Sequence, residues 1–165
     1  MIPTDDQDGF DQVALRQAFG CFPSGVTAVC GMLGDRPQGM AASSFTSVSL
    51  EPALVSVCVA HTSTTWPTLA PLPRLGVSVL AEDHSSVAAS LSAKTGDRFA
   101  GVEWESSETG AVFVHGSSLW LECTIHAQVP AGDHDIVLLR IRAMQMYPDI
   151  APMIFHGSRY RQLMP

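Results

Sequence analysis

From Leu119 to Val129 the chain alternates without a break: Leu119, Leu121, Cys123, Ile125, Ala127 and Val129 fall on one face. Trp120, Glu122, Thr124, His126 and Gln128 fall on the other. A period of two sustained this long predicts a half-buried β-strand. Val137, Leu139, Ile141 and Ala143 repeat the pattern, with Arg140 and Arg142 turned the other way. Pro130-Ala-Gly-Asp-His-Asp135 joins the two runs, which predicts a hairpin with His134 at its mouth. Upstream, Val26–Cys30, Ala53–Ala60 and Leu75–Leu80 read as further strands, the second introduced by Pro52, and Gly34–Gly39 reads as a turn. Helical spacing is confined to Asp11–Phe19, with Asp11 as N-cap and Gly20 as a stop, and to about Asp83–Lys94. His61–Leu69 reads as a capped loop entering a short helix. Several strands with turns and only short helices imply a closed or nearly closed antiparallel barrel.

Composition narrows the setting. A length of 165 residues fills one core and is too short for two ordinary domains, so residues 1–165 read as a single domain with residues 1–10 as a flexible tail. Hydrophobic residues at 46% and charged residues at 15% exclude a disordered chain. The net charge of −7 argues against nucleic acid as a partner and against an anionic membrane surface. The apolar runs have strand length, and the acidic start lacks the basic and apolar regions of a signal peptide. Cys21, Cys30, Cys58 and Cys123 are far apart, with no CxxC and no Cys/His pair at metal spacing. They read as reduced thiols in a cytoplasmic protein, with no metal.

Two stretches carry candidate chemistry. Met40-Ala-Ala-Ser-Ser-Phe-Thr-Ser-Val-Ser-Leu50 is crowded with small and hydroxyl side chains and has no charge; Phe22-Pro-Ser-Gly-Val-Thr27 has the same character. Approachable backbone amides and Ser/Thr oxygens suit a flat heteroaromatic ring with a polyhydroxy, phosphate-bearing tail, and a flavin has that shape. The same composition also suits plain edge and turn residues that bond their own backbone. From the residues alone both readings stand.

The order of the blocks separates them. Phe22–Thr27, Ala42–Leu50, Glu51–Val59, Gly96-Asp-Arg-Phe99, Gly132-Asp-His134 and Phe155-His-Gly-Ser-Arg-Tyr160 together resemble the flavin reductase domain family. The resemblance runs from about Leu15 to Leu163. It implies an FMN-binding split β-barrel, mainly β with a few short helices, dimerising across its flavin sites. The implied activity is an NAD(P)H:flavin oxidoreductase that supplies reduced flavin to a partner flavin-dependent monooxygenase. Flavin is expected as FMN, with FAD as the alternative, and NADH or NADPH as hydride donor. Two other readings remain: a self-contained oxidase or reductase with tightly bound FMN, and a flavin-binding module without turnover.

Residue roles follow from the same resemblance. Pro23, Ser24, Gly25, Val26 and Thr27 line the ring and ribityl chain. Ala41, Ala42, Ser43 and Ser44 offer backbone groups to the pyrimidine edge and N5, and Ser49 reaches toward the phosphate. His61, Thr62 and Ser63 form the next flavin loop, where a hydroxyl-rich turn enters a helix and doubles as an anion site or a simple N-cap. Lys94 and Arg98 are assigned to phosphate and Phe99 to a flavin edge. His134 is assigned to orienting the nicotinamide, with Tyr160 flanking the site and His156 and Arg159 as lesser companions. No GxGxxG precedes a helix, so a separate dinucleotide-binding domain is not expected.

Overall fold

The computed structural model describes residues 11–163; the ten N-terminal residues, read above as a flexible tail, lie outside the described residues. In chain order the elements are α1 (Gln12–Phe19), β1 (Ser24–Gly25), β2 (Thr27–Leu33), β3 (Arg36–Ala42), β4 (Thr46–Leu50), β5 (Ala53–Ala60), α2 (Trp66–Leu69) and β6 (Leu75–Val79). They continue with α3 (Ser85–Leu91), β7 (Trp104–Ser106), β8 (Val112–Val114), β9 (Leu119–Ala131), β10 (His134–Met146), β11 (Ile154–His156) and β12 (Arg159–Arg161).

Seven strands form one antiparallel sheet in the order β3-β2-β6-β9-β10-β5-β4. Its two edges, β3 and β4, are consecutive in the chain, yet among the described residues no ladder joins them. The sheet is therefore a split barrel rather than a closed one. β9 and β10 are the long hairpin that the alternation predicts, turning at Gly132 (φ 67°) and Asp133 with His134 as the first residue of β10.

Burial explains the sheet. Val29, Val57, Val77, Leu121, Val137 and Leu139 fill its interior, and Trp66 and Leu69 of α2 close over them. β2 is buried on both sides, because Ala28 and Cys30 pack into a second core with Leu91 of α3 and Val112 and Val114 of β8. A strand with no wet face reads as a continuous apolar run, as Val26–Cys30 does. Gly76 lets β6 and β8 approach this closely: a Cβ there would lie 2.0 Å from the Val112 carbonyl oxygen.

Two expectations need correction. The turn read over Gly34–Gly39 is only Gly34–Asp35, and β3 begins at Arg36. Pro37 looks like a turn residue but sits on an edge strand, where its missing N–H costs no ladder bond. The helix read as far as Lys94 ends at Leu91, and Ser92–Phe99 is irregular chain.

Candidate functional site

A cleft of about 680 Å³ opens where several segments end together. The end of β3 with its continuation (Met40–Ser44), the end of β5 (Cys58, Ala60) and the Thr62–Thr65 loop form its walls. Leu91, Ser92, Lys94 and Arg98, at and beyond the end of α3, and His134 at the hairpin mouth complete it. The wall is built of small side chains, so backbone is exposed to the cleft. Among the described residues, the backbone N–H groups of Ser43, Ser44, Thr62, Thr64 and Thr65 have no partner within the chain. Donors left unspent along one cavity need a ligand or water to satisfy them.

The walls are held by specific bonds. Ser44 Oγ accepts from the Cys58 N–H at 2.8 Å and donates to the Cys58 carbonyl at 3.2 Å, so its hydroxyl ties the β3–β4 connection to β5. Only the Ser44 backbone is left for a ligand. Ser63 Oγ accepts from Trp66 N–H at 3.1 Å, and the Trp66 indole donates to Gln128 Oε1 at 3.2 Å, fixing the Thr62–Thr65 loop to β9. α2 is a single turn, too short to act as a helix dipole, so the loop's donors count as individual groups. Arg98 is pinned by Nη1, which donates to the Gly39 carbonyl at 3.2 Å and to Thr65 Oγ1. Its Nε and Nη2 hydrogens have no partner among the described residues, which leaves a fixed cation with a free donor face.

At the hairpin mouth His134 Nδ1 and Asp133 Oδ1 are 2.7 Å apart. This hydrogen bond and the His134 charge hold the Asp133 carboxyl below its usual range. Asp135 does not face His134; it pairs with His61 Nε2 at 3.0 Å. His134 Nε2 has no partner among the described residues, so that nitrogen is available at the cleft.

The cleft therefore brings together Ala41, Ala42, Ser43, Ser44, Thr62, Ser63, Lys94, Arg98 and His134. Val26 and Tyr160 line an adjoining notch of about 110 Å³ that shares Ala41, Ala42, Ser43 and Ser92 with it. Tyr160 packs on Phe155 with ring centroids 5.7 Å apart. The other expected residues lie elsewhere. Ser24 and Gly25 form β1 against β11, with exposed Pro23 before them, and the Thr27 hydroxyl is buried, donating to the Ala42 carbonyl. His61 points to Asp135, and Phe99 is a core residue on a neighbouring cleft. Ser49 pairs with Leu54, and Ala60 pairs with His134, so Ser49 stands roughly 20 Å along β5 from the hairpin mouth. His156 and Arg159 are exposed.

Sequence reasoning missed Cys58, Thr64, Thr65 and Ser92 as lining residues. Thr64 and Thr65 had a signal, since they extend the hydroxyl run after Ser63. Cys58 reads as core in a mostly apolar strand, yet it is exposed on the cleft face.

Residues 19–164 match the family model described as a flavin reductase like domain. The chain belongs to the flavin reductase family. It is 40% identical to a flavin reductase relative described as an NADH-dependent FAD reductase from Streptomyces globisporus, over 99% of this chain and 92% of the relative. It is 32% identical to the flavin-dependent monooxygenase reductase subunit HsaB of Mycobacterium tuberculosis, over 94% of this chain and 84% of that protein. Among solved structures, the Streptomyces globisporus NADH:FAD oxidoreductase SgcE6, in complex with NAD and FAD fragments, superposes with a TM-score of 0.88. That pair is 40% identical and covers 94% of each chain.

Proposed function

We propose that this flavin reductase transfers reducing equivalents from NAD(P)H to a flavin bound in the cleft and passes the reduced flavin to a partner monooxygenase. The observation that carries this reading is the donor set of the cleft: neutral backbone N–H groups along a small-residue wall, ending at the pinned Arg98. Such a set fits a flat ring with a phosphate-bearing tail. When bound, flavin supplies the two-electron acceptor. The chain's own residues hold and aim. Ser43, Ser44 and the Thr62–Thr65 loop bind the ring and ribityl chain, Lys94 and Arg98 pair with phosphate, and His134, steadied by Asp133, orients the nicotinamide through Nε2. Tyr160 flanks the same wall from the notch.

The reductase-subunit relative supports a monooxygenase as the recipient. We place the enzyme in the cytoplasm on the strength of four free cysteines, and no helix among the described residues is long and apolar enough to cross a membrane. A homodimer is part of the proposal, on the apolar surface considered in the Discussion. The test is anaerobic bleaching of FMN, FAD and riboflavin with NADH and with NADPH, followed by peroxide release in air. Bleaching of added flavin at catalytic protein concentration is expected. Bound flavin that neither nucleotide bleaches would overturn the reading.

A further inference from the structure

Arg98 stands on a ridge between two clefts. Thr64, Thr65 and Lys94 share that ridge with it, facing both the cleft described above and a second one of about 780 Å³. The second cleft adds Arg36, at the start of edge strand β3, and Gln38 two positions on; Trp104 of β7 forms another wall. Three of the chain's nine Lys and Arg residues thus border one cavity of a molecule whose net charge is −7. Such a concentration of cations against the prevailing charge marks an anion site. None of the three has a salt-bridge partner among the described residues. Asp97 also lines the cavity, but its Oδ1 accepts from the Phe99 N–H at 2.9 Å.

The aromatic wall is held in place. Trp104 is half-buried and meets Phe99 edge-on, with centroids 6.2 Å apart and planes at 80°, which steadies the indole while part of it lines the cavity. A fixed aromatic surface lining one cavity with arginines and an amide is chemistry that suits a purine nucleotide: stacking for the base, cations for the phosphate. Continuity matters as much as content. Arg98 lines both clefts, so a linker between two halves of one ligand that crossed from one to the other would pass it.

We infer that this second cleft takes the 5′-adenylate half of a dinucleotide, with its pyrophosphate crossing the ridge at Arg98. The inference rests on the flavin reading of the first cleft. Two dinucleotides carry that half, FAD and NAD(P)H, and the experiment separates them.

Binding of FAD, FMN and riboflavin to the full-length protein is measured by fluorescence for wild type, Trp104→Leu and Arg36→Ala. The KM for NADH is measured with FMN as acceptor. Arg36 is exposed and makes no side-chain hydrogen bond among the described residues, so Arg36→Ala keeps the test usable should Trp104→Leu disturb packing on Phe99. If FAD supplies the adenylate, its affinity falls about tenfold in the variants, the size expected of one stacked base, while FMN and riboflavin stay within about twofold. If NAD(P)H supplies it, the KM for NADH rises about tenfold and flavin affinities hold. In either case 5′-AMP competes with the affected dinucleotide and not with riboflavin. FAD affinity and NADH KM both unchanged in the two variants would overturn the inference, as would FMN and FAD weakening alike. Wild-type protein that binds none of the flavins would instead sink the flavin reading itself.

Discussion

At the scale of single residues, the cleft works through groups whose other bonds are already made. His134 is held on one nitrogen by Asp133, so the ring has one orientation and one unspent nitrogen at the cleft. Replacing it by alanine is expected to slow anaerobic hydride transfer and raise the apparent KM for NAD(P)H, with FMN affinity within a few-fold. A hydride donor misplaced by about 1 Å loses roughly 100-fold in rate, well within stopped-flow resolution. The same variant carries a readout independent of turnover. Without its histidine partner, the Asp133 carboxyl should titrate closer to its ordinary value in an NMR pH series. Unchanged transfer kinetics would return His134 to the surface turn and move the orienting role to Tyr160. The four thiols give a second check. Burial pushes the Cys30 and Cys123 thiols up to about 12, so both stay protonated and slow, whereas Cys21 and Cys58 are exposed. Only Cys58 lines the cleft. Saturating FMN should therefore slow labelling of Cys58; equal rates with and without flavin would place the flavin elsewhere. Much of this site was legible as residue types, because its hydroxyls and small side chains come in contiguous runs. Its cationic ridge was legible only as two scattered bases. What was not legible is which oxygens are spent: the Ser44 hydroxyl serves Cys58 and the Thr27 hydroxyl serves Ala42, and both pairings depend on sheet register.

At the scale of elements, legibility tracks how many faces of a strand are wet. β9 and β10 have one buried and one partly solvated face, and their alternation gave both the strands and the hairpin mouth. β7, β8, β11 and β12 are three residues each, too short for any period to emerge. The edge strand β3 was hidden by Pro37 and Gly39, which mark turns in most contexts. Between β6 and α3, His84 adds a titratable joint. Its Nδ1 accepts from the Ala81 N–H at 3.2 Å, a bond that requires the neutral ring, and burial pulls its pKa below 6.5 while Asp83 pulls the other way less strongly. The folded pKa is depressed, so this contribution to stability is complete above about pH 6.5 and is lost as pH falls from there through the folded value. Urea midpoints should decline from pH 7.5 to 5.5, and His84→Asn should flatten that decline. A slope identical in wild type and variant would mean that other groups dominate.

At the scale of the whole molecule, the proposed homodimer draws its support from the apolar surface that a single copy exposes. α1 has a well-made N-cap at Asp11 and yet buries none of its residues. Val13 is 59% exposed and Phe19 72%, and Phe22 just beyond the helix is 77% exposed; Leu50 at the end of β4 is 97% exposed, and Met144 and Met146 near the end of β10 are open as well. Isolated exposed apolar side chains are ordinary, but a helix with no buried face has little holding it to the fold. A second copy of the chain is the occupant we propose for this face. Ser49, which the family resemblance assigns to the flavin, stands roughly 20 Å along β5 from the hairpin mouth of its own subunit. In the proposed dimer, Ser49 would instead serve the partner's cleft. Sedimentation at micromolar concentration is accordingly expected to show a dimer. Phe19→Asp combined with Phe22→Asp should give a folded monomer, because neither side chain supports its own subunit's core, and that monomer should bind FMN at least tenfold more weakly. A wild-type monomer with full reductase activity would remove the dimer and leave the exposed α1 face without an occupant. A monomeric double variant with unimpaired FMN affinity would keep the dimer but detach it from the flavin site, confining flavin contacts to the residues that one cleft brings together.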